Sequence, residues 1–171
     1  MKLKVIITAL ALTIAASASA YAAEVALTSV GQSSDAMMVR VIMKSLKITP
    51  DYDAVMKPEA LTDQKVLVAV VGGSSKGLGA AGINQEDEME RANALFKTAR
   101  DKGIKIVIMH VGGEGRRGTL SDFFTKEAVP NGDGFFDTLT KPKNIPVKIA
   151  PNVNGTKAPL GEVLAGYGVT K

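Results

Sequence analysis

Residues 65–71, KVLVAVV, and residues 104–111, IKIVIMHV, decide the fold. Neither run alternates apolar with polar positions. Both are continuously aliphatic and rich in Val and Ile, the pattern of a strand covered on both faces, and such strands belong to parallel sheets. A third β-rich run, EVALTSV at residues 24–30, ends on Gly31. Between these runs lie helical signals. Gln32-Ser33-Ser34-Asp35 opens a helix with Ser33 or Ser34 as N-cap. In it Arg40, Lys44 and Lys47 make a solvated stripe, and the remaining apolar surface implies burial on more than one side. Asn84 with Asp87 has capping-box spacing, and the helix that follows carries Met89, Ala92, Leu95, Phe96 and Ala99 on one face and stops at Lys102-Gly103. The acidic run Glu86-Asp87-Glu88 with Glu90 falls in its first turns, where the helix dipole favours negative charge, and reads as a capping feature. Thr119 with Asp122 repeats the capping-box spacing and starts a helix to about Ala128.

The weaker signals complete the alternation. A short edge strand is expected around Tyr52–Met56, a turn cluster at residues 130–134, a last strand at Ile145–Ala150, and a closing helix at Leu160–Gly166 after Pro159. Strands alternating with helices predict an α/β domain of three layers, with about five mainly parallel strands in flavodoxin-like or Rossmann-like order.

The amino terminus reads differently. Lys2 and Lys4 precede an apolar stretch from Val5 to Ala16, and Ala18-Ser19-Ala20 and Ala20-Tyr21-Ala22 both fit an A-x-A cleavage site. Residues 1–22 are therefore expected to be a secretory signal peptide, and residues 23–171 a single α/β domain, exported to the periplasm or beyond. With no Cys in the chain, neither a disulfide framework nor a lipid-anchored cysteine is available. Without Lys2 and Lys4, 19 basic residues face 17 acidic ones, too even a balance for a nucleic-acid footprint. No Trp and few Phe and Tyr remove the stacking platforms of single-strand binders. No run after Ala23 is long and apolar enough to span a bilayer, so no membrane contact is expected once the leader is removed.

Three loops follow the strands that carry the fold: Gly31–Ser34, Gly72–Gly82 and Gly112–Gly118. They hold 10 of the 17 glycines. Glycine concentrated at strand ends lets backbone approach a ligand closely, and open α/β sheets bind ligands beyond the carboxyl ends of their strands. The loop GGSSKGLGAAG offers backbone N–H groups, hydroxyls and the Lys76 ammonium to an anion. It lacks Walker spacing, because Gly77 follows Lys76. It does match the G-x-x-x-G-x-G loop of short-chain dehydrogenases, and Tyr167–Lys171 matches their Y-x-x-x-K. That reading is rejected: the loop follows the third strand, the Tyr lies at the chain terminus, and nicotinamide cofactors are scarce outside the cytoplasm. No cofactor is expected. In GGEGRRG, Arg116 and Arg117 sit between glycines before a helix N-terminus, a setting suited to carboxylate or phosphate, with Glu114 available to orient an arginine. The alternative is that the arginines pair with Glu114 and Asp122 to brace the loop.

Other chemistries find less support. The single His110 reads as a packed, hydrogen-bonded strand residue. A Ser-His-Asp set would have to draw on Ser34 or Ser74, His110 and Asp122, without a G-x-S-x-G elbow. One His, no Cys and no D-x-D-x-D-G loop leave no metal site. With its export signal, its GGSSKGLGAAG loop and above all GGEGRRGTLSD at residues 112–122, the chain resembles an uncharacterised family of exported bacterial α/β proteins, a domain of unknown function. The resemblance implies a bacterial source and an envelope location and brings no established activity. The expected function is binding of a small carboxylate- or phosphate-bearing molecule. The expected site comprises Gln32, Ser33, Ser34, Gly73, Ser74, Ser75, Lys76, Gly77, Glu114, Arg116, Arg117 and Ser121. The alternatives are a hydrolase- or transferase-type enzyme at the same cleft, using a Ser or His110, and a non-catalytic envelope scaffold.

Overall fold

The computed structural model describes residues 23–136, 147–148, 150 and 152–169. The predicted leader, residues 145, 146 and 149 of the predicted last strand, and the end of the Y-x-x-x-K match lie outside the described residues. In chain order the elements are β1 (Val25–Val30), α1 (Asp35–Ser45), β2 (Asp51–Tyr52), β3 (Val66–Val71), α2 (Ser75–Ala81), α3 (Gln85–Asp101), β4 (Lys105–Met109), α4 (Thr119–Ala128), β5 (Gly134–Phe136), β6 (Val147–Lys148) and α5 (Lys157–Gly166). They form an α/β fold on one sheet, ordered β2-β1-β3-β4-β5-β6. Every neighbouring pair is parallel. Four strands of three or more residues make its body, and the two-residue β2 and β6 close its edges.

The period of two along each strand divides the core. Ala26, Leu67, Ala69, Ile106 and Ile108 face one way, toward Leu95, Phe96 and Phe124 of α3 and α4. Leu27, Val68, Val70, Val107 and Met109 face the other, toward Met43, Leu160 and Leu164 of α1 and α5. This two-sided burial is why the decisive runs carry no polar alternation. Register places the strand ends side by side: Val30 pairs with Val71, and Val70 with Met109. The loops after β1, β3 and β4 therefore leave the sheet at one level.

Several expectations change. Among the described residues the sheet has six strands, because Gly134–Phe136 pairs with Val107–Met109; three residues that begin on the last glycine of a turn cluster carry no periodicity to read. The predicted strand at residues 52–56 shortens to β2, since the Asp53 carboxylate accepts the Val55 N–H at 2.9 Å and turns the chain. Most of the predicted loop Gly72–Gly82 is helical. The Ser74 hydroxyl accepts the Gly77 N–H at 3.0 Å and caps α2, Leu78 is buried, and Gly82 ends the helix at φ +70°. Helix α1 is not covered all round: Met37 and Val41 remain exposed, and of its expected charge stripe Arg40 lies over the Tyr52 ring at 5.0 Å. Burial raises the Tyr52 hydroxyl pKa, while Arg40 opposes the shift. Helix α5 begins before Pro159, which occupies its first turn, where no intrahelical N–H is needed.

Two glycines of α2 separate packing from propensity. A Cβ on Gly77 would lie 2.0 Å from the Gln32 carbonyl oxygen, whereas a Cβ on Gly79 would meet nothing within 4 Å. Gly77→Ala is expected to lower unfolding stability by about 1–3 kcal/mol. Gly79→Ala is expected to raise it by about 0.5–1 kcal/mol, both read from urea denaturation.

Candidate functional site

The site is built on a grip at the end of β1. Asn84 and Asp87 form the predicted capping box, with bonds of 2.8 and 3.2 Å. The neighbouring Glu88 is no surface acid: it is fully buried and turned inward. Its Oε1 accepts the Gly31 N–H at 2.8 Å and the Gln32 side-chain amide at 2.9 Å. Arg91 donates to both of its oxygens, at 2.8 and 2.9 Å, and also to the carbonyls of Ser29 at 2.6 Å and Met56 at 2.8 Å. Gln32 gives a second bond, 2.9 Å, to the Ala54 carbonyl and adopts φ +60°. Two charges removed from water persist because their donors and acceptors are met within the fold. Both bonds use Gln32 Nε2, so that amide nitrogen is committed to the fold.

The first two loops are stitched together by backbone. Ser33 donates to the Gly72 carbonyl at 3.0 Å, Gly72 to Val30 at 2.9 Å, and Ser74 to Gly31 at 2.8 Å. Ser33 is buried, and its hydroxyl accepts the Asp35 N–H at 3.3 Å. Ser34, at the N-cap of α1, is exposed and makes no side-chain cap bond. The β3 loop is tied to α4 by the Gly73 N–H, which donates to the Ser121 hydroxyl at 3.0 Å.

Between the β3 and β4 loops lies an open cleft of about 320 Å³, lined by Gly73, Ser75 and residues 115–121. It collects five of the expected residues: Gly73, Ser75, Arg116, Arg117 and Ser121. It does not collect Gln32, Ser33 or Ser34. Ser74 is spent on its cap, Gly77 packs on Gln32, and Lys76 and Glu114 are exposed away from the lining. Thr119 does not cap α4. The N-cap is Gly118, no side chain caps it, and Asp122 accepts a bond from the Arg117 Nε instead. Bracing therefore describes Arg117. Arg116 points elsewhere: its Nη1 lies 3.8 Å from Asp35 Oδ1, with the guanidinium side chain 55% exposed and the carboxylate side chain 1% exposed.

Asp35 is the residue the sequence did not single out. Among the described residues, neither of its carboxylate oxygens has a hydrogen-bond partner. Glycines flank it closely: a Cβ on Gly72 or Gly112 would lie 3.2 or 3.1 Å from Oδ2. An acid directly before a helical run reads as a dipole complement, so nothing in the sequence marked its burial.

His110 is buried, as expected, with Nδ1 3.0 Å from the Val71 carbonyl. A carbonyl only accepts, so Nδ1 is the donor in this contact, and Nε2 has no hydrogen-bond partner among the described residues. With Nδ1 at the Val71 carbonyl and Nε2 without a partner, His110 is hydrogen-bonded to none of Ser34, Ser74 and Asp122. No group of three His, Cys, Asp or Glu able to hold a metal occurs among the described residues, and no helix there is long and apolar enough to cross a membrane.

These features define an α/β protein with a parallel sheet and a polar cleft at the carboxyl ends of β3 and β4. The family described as "Domain of unknown function (DUF6305)" matches residues 22–164, and the chain belongs to that family. No curated protein matches it, and no solved structure does.

The grip is testable apart from any ligand. Glu88→Ala leaves Arg91 without its counter-charge and is expected to cost about 3–5 kcal/mol in urea unfolding. Glu86→Ala, exposed in the same helical turn, is expected to cost about 0.5 kcal/mol or less.

Proposed function

We propose that this protein is an exported binding domain for a small carboxylate- or phosphate-bearing molecule, held in the cleft between the β3 and β4 loops. The observation that carries this reading is the open start of α4. Its first turn faces the cleft with no capping side chain, and Arg116 and Arg117 stand beside it. The first N–H groups of a helix have no partner within the helix, and its dipole adds partial positive charge there. With a guanidinium alongside, the arrangement suits a planar or tetrahedral oxyanion. Export to a bacterial envelope is part of the proposal and rests on Lys2, Lys4, the apolar stretch and the A-x-A sites. We read the sheet as a flavodoxin-like arrangement with one strand added. The reversal of strand order between β2-β1 and β3-β4 supports that reading.

Two substitutions remove positive character from the cleft by different routes. Arg116→Ala deletes a charge. Thr119→Pro deletes one N–H at a position where Pro suits a helix start, and the extended Gly118 (φ 165°, ψ 170°) accommodates a following Pro. Isothermal titration with inorganic phosphate and a panel of small carboxylates is expected to show binding to the wild-type protein. Each variant is expected to weaken it about tenfold, roughly 1.4 kcal/mol. A flat panel, or unchanged affinity in both variants, contradicts the proposal.

A further inference from the structure

We infer that the ligand carries a protonated amine next to its anionic group, and that Asp35 is the acceptor for that amine. This deepens the anion-binding reading and rests on it. The observation is the state of Asp35. It is fully buried, neither carboxylate oxygen has a hydrogen-bond partner among the described residues, and the charge facing it is Arg116 at 3.8 Å, beyond hydrogen-bond distance. Buried carboxylates are ordinarily hydrogen-bonded as well as charge-paired. Here the glycines at 72 and 112 bring bare backbone against the carboxylate, since a Cβ on either would crowd Oδ2.

Arg116 joins the two halves of the site. It lines the cleft, and its guanidinium faces the buried carboxylate. An anion that draws the guanidinium into the cleft takes away the counter-charge of Asp35. A purely anionic ligand would thus satisfy the start of α4 and leave a buried carboxylate uncompensated. A ligand with an ammonium beside its oxyanion resolves both needs: the oxyanion takes Arg116 and the N–H groups of α4, and the ammonium takes the place of Arg116 at Asp35. The polarity matches, because the α4 end of the cleft offers donors and Asp35 only acceptors. The shared chemistry is that of a small zwitterion, either an α-amino acid or a phosphorylated amino alcohol.

The test compares matched probes on the purified protein by isothermal titration: L-alanine against propionate, and O-phosphoethanolamine against methyl phosphate. At least one zwitterion is expected to bind tenfold or more tightly than its matched anion, and the pair in which it does so assigns the source. Asp35→Asn is expected to abolish that preference while leaving the affinity for the plain anion unchanged or improved. Asp35→Ser, smaller and uncharged, is the second variant should the amide disturb packing, and circular dichroism checks that each variant is folded. The inference is overturned if the plain anions bind and the zwitterions gain nothing, an outcome that leaves the anion-binding reading intact. It is also overturned if the preference survives in both folded variants. If none of the four probes binds, the inference and the reading beneath it fall together.

Discussion

The Glu88 carboxylate takes the N–H of Gly31, the first residue beyond β1, and through Arg91 it also holds the carbonyls of Ser29 and Met56. Much of the sheet's working end follows from this grip. Next to Gly31, Gln32 is left-handed, and its carbonyl lies against α2 at Gly77. The same turn accepts Ser74 and donates to Gly72, so the β1 and β3 loops behave as one body. Gly73 then passes the constraint to Ser121 of α4. A chain of short polar contacts thus runs from α3 across the strand ends to the cleft. Buried charges held this way contribute definition of geometry more than net stability, since desolvation offsets much of their attraction.

The aliphatic runs at 65–71 and 104–111 made the parallel sheet legible, because two-sided burial demands continuous apolar sequence. The α3 cap was equally plain, since a capping box is a local pattern in which the Asn84 and Asp87 side chains each accept the other's backbone N–H. The same spacing at Thr119 and Asp122 misled, because Arg117, five residues before Asp122, offered the carboxylate a charged partner and drew it away from the helix end. The short strand β5 was invisible, for three residues that begin on the last glycine of a turn cluster carry no period.

The position of the cleft was legible in the sequence, but the side chains that line it were not. Glycine at strand ends pointed to the edge of the sheet where the cleft lies, yet several of the glycines serve close packing: Gly77 against Gln32, Gly73 against Leu120 and Ser121. Ser33 and Ser74 of the same loops are spent on backbone N–H groups. Glu88 and Asp35, the two buried carboxylates of this end, each sit in a first helical turn, where an acid is ordinary. Only the packing of one element on another distinguishes a solvated capping acid from a buried one, and that is long-range information.

The central claim is that small anions lodge against the uncapped start of α4 beside Arg116. The measurement that tests it most directly is a nitrogen–proton correlation spectrum of the labelled protein titrated with inorganic phosphate and with L-alanine. The account predicts saturable shifts concentrated on the amides of Gly118, Thr119 and Leu120 and on the Arg116 side-chain Nε, with Gly72 and Gly112 responding to alanine alone. Shifts spread evenly over exposed lysines, or confined to Lys76 and α2, would contradict it.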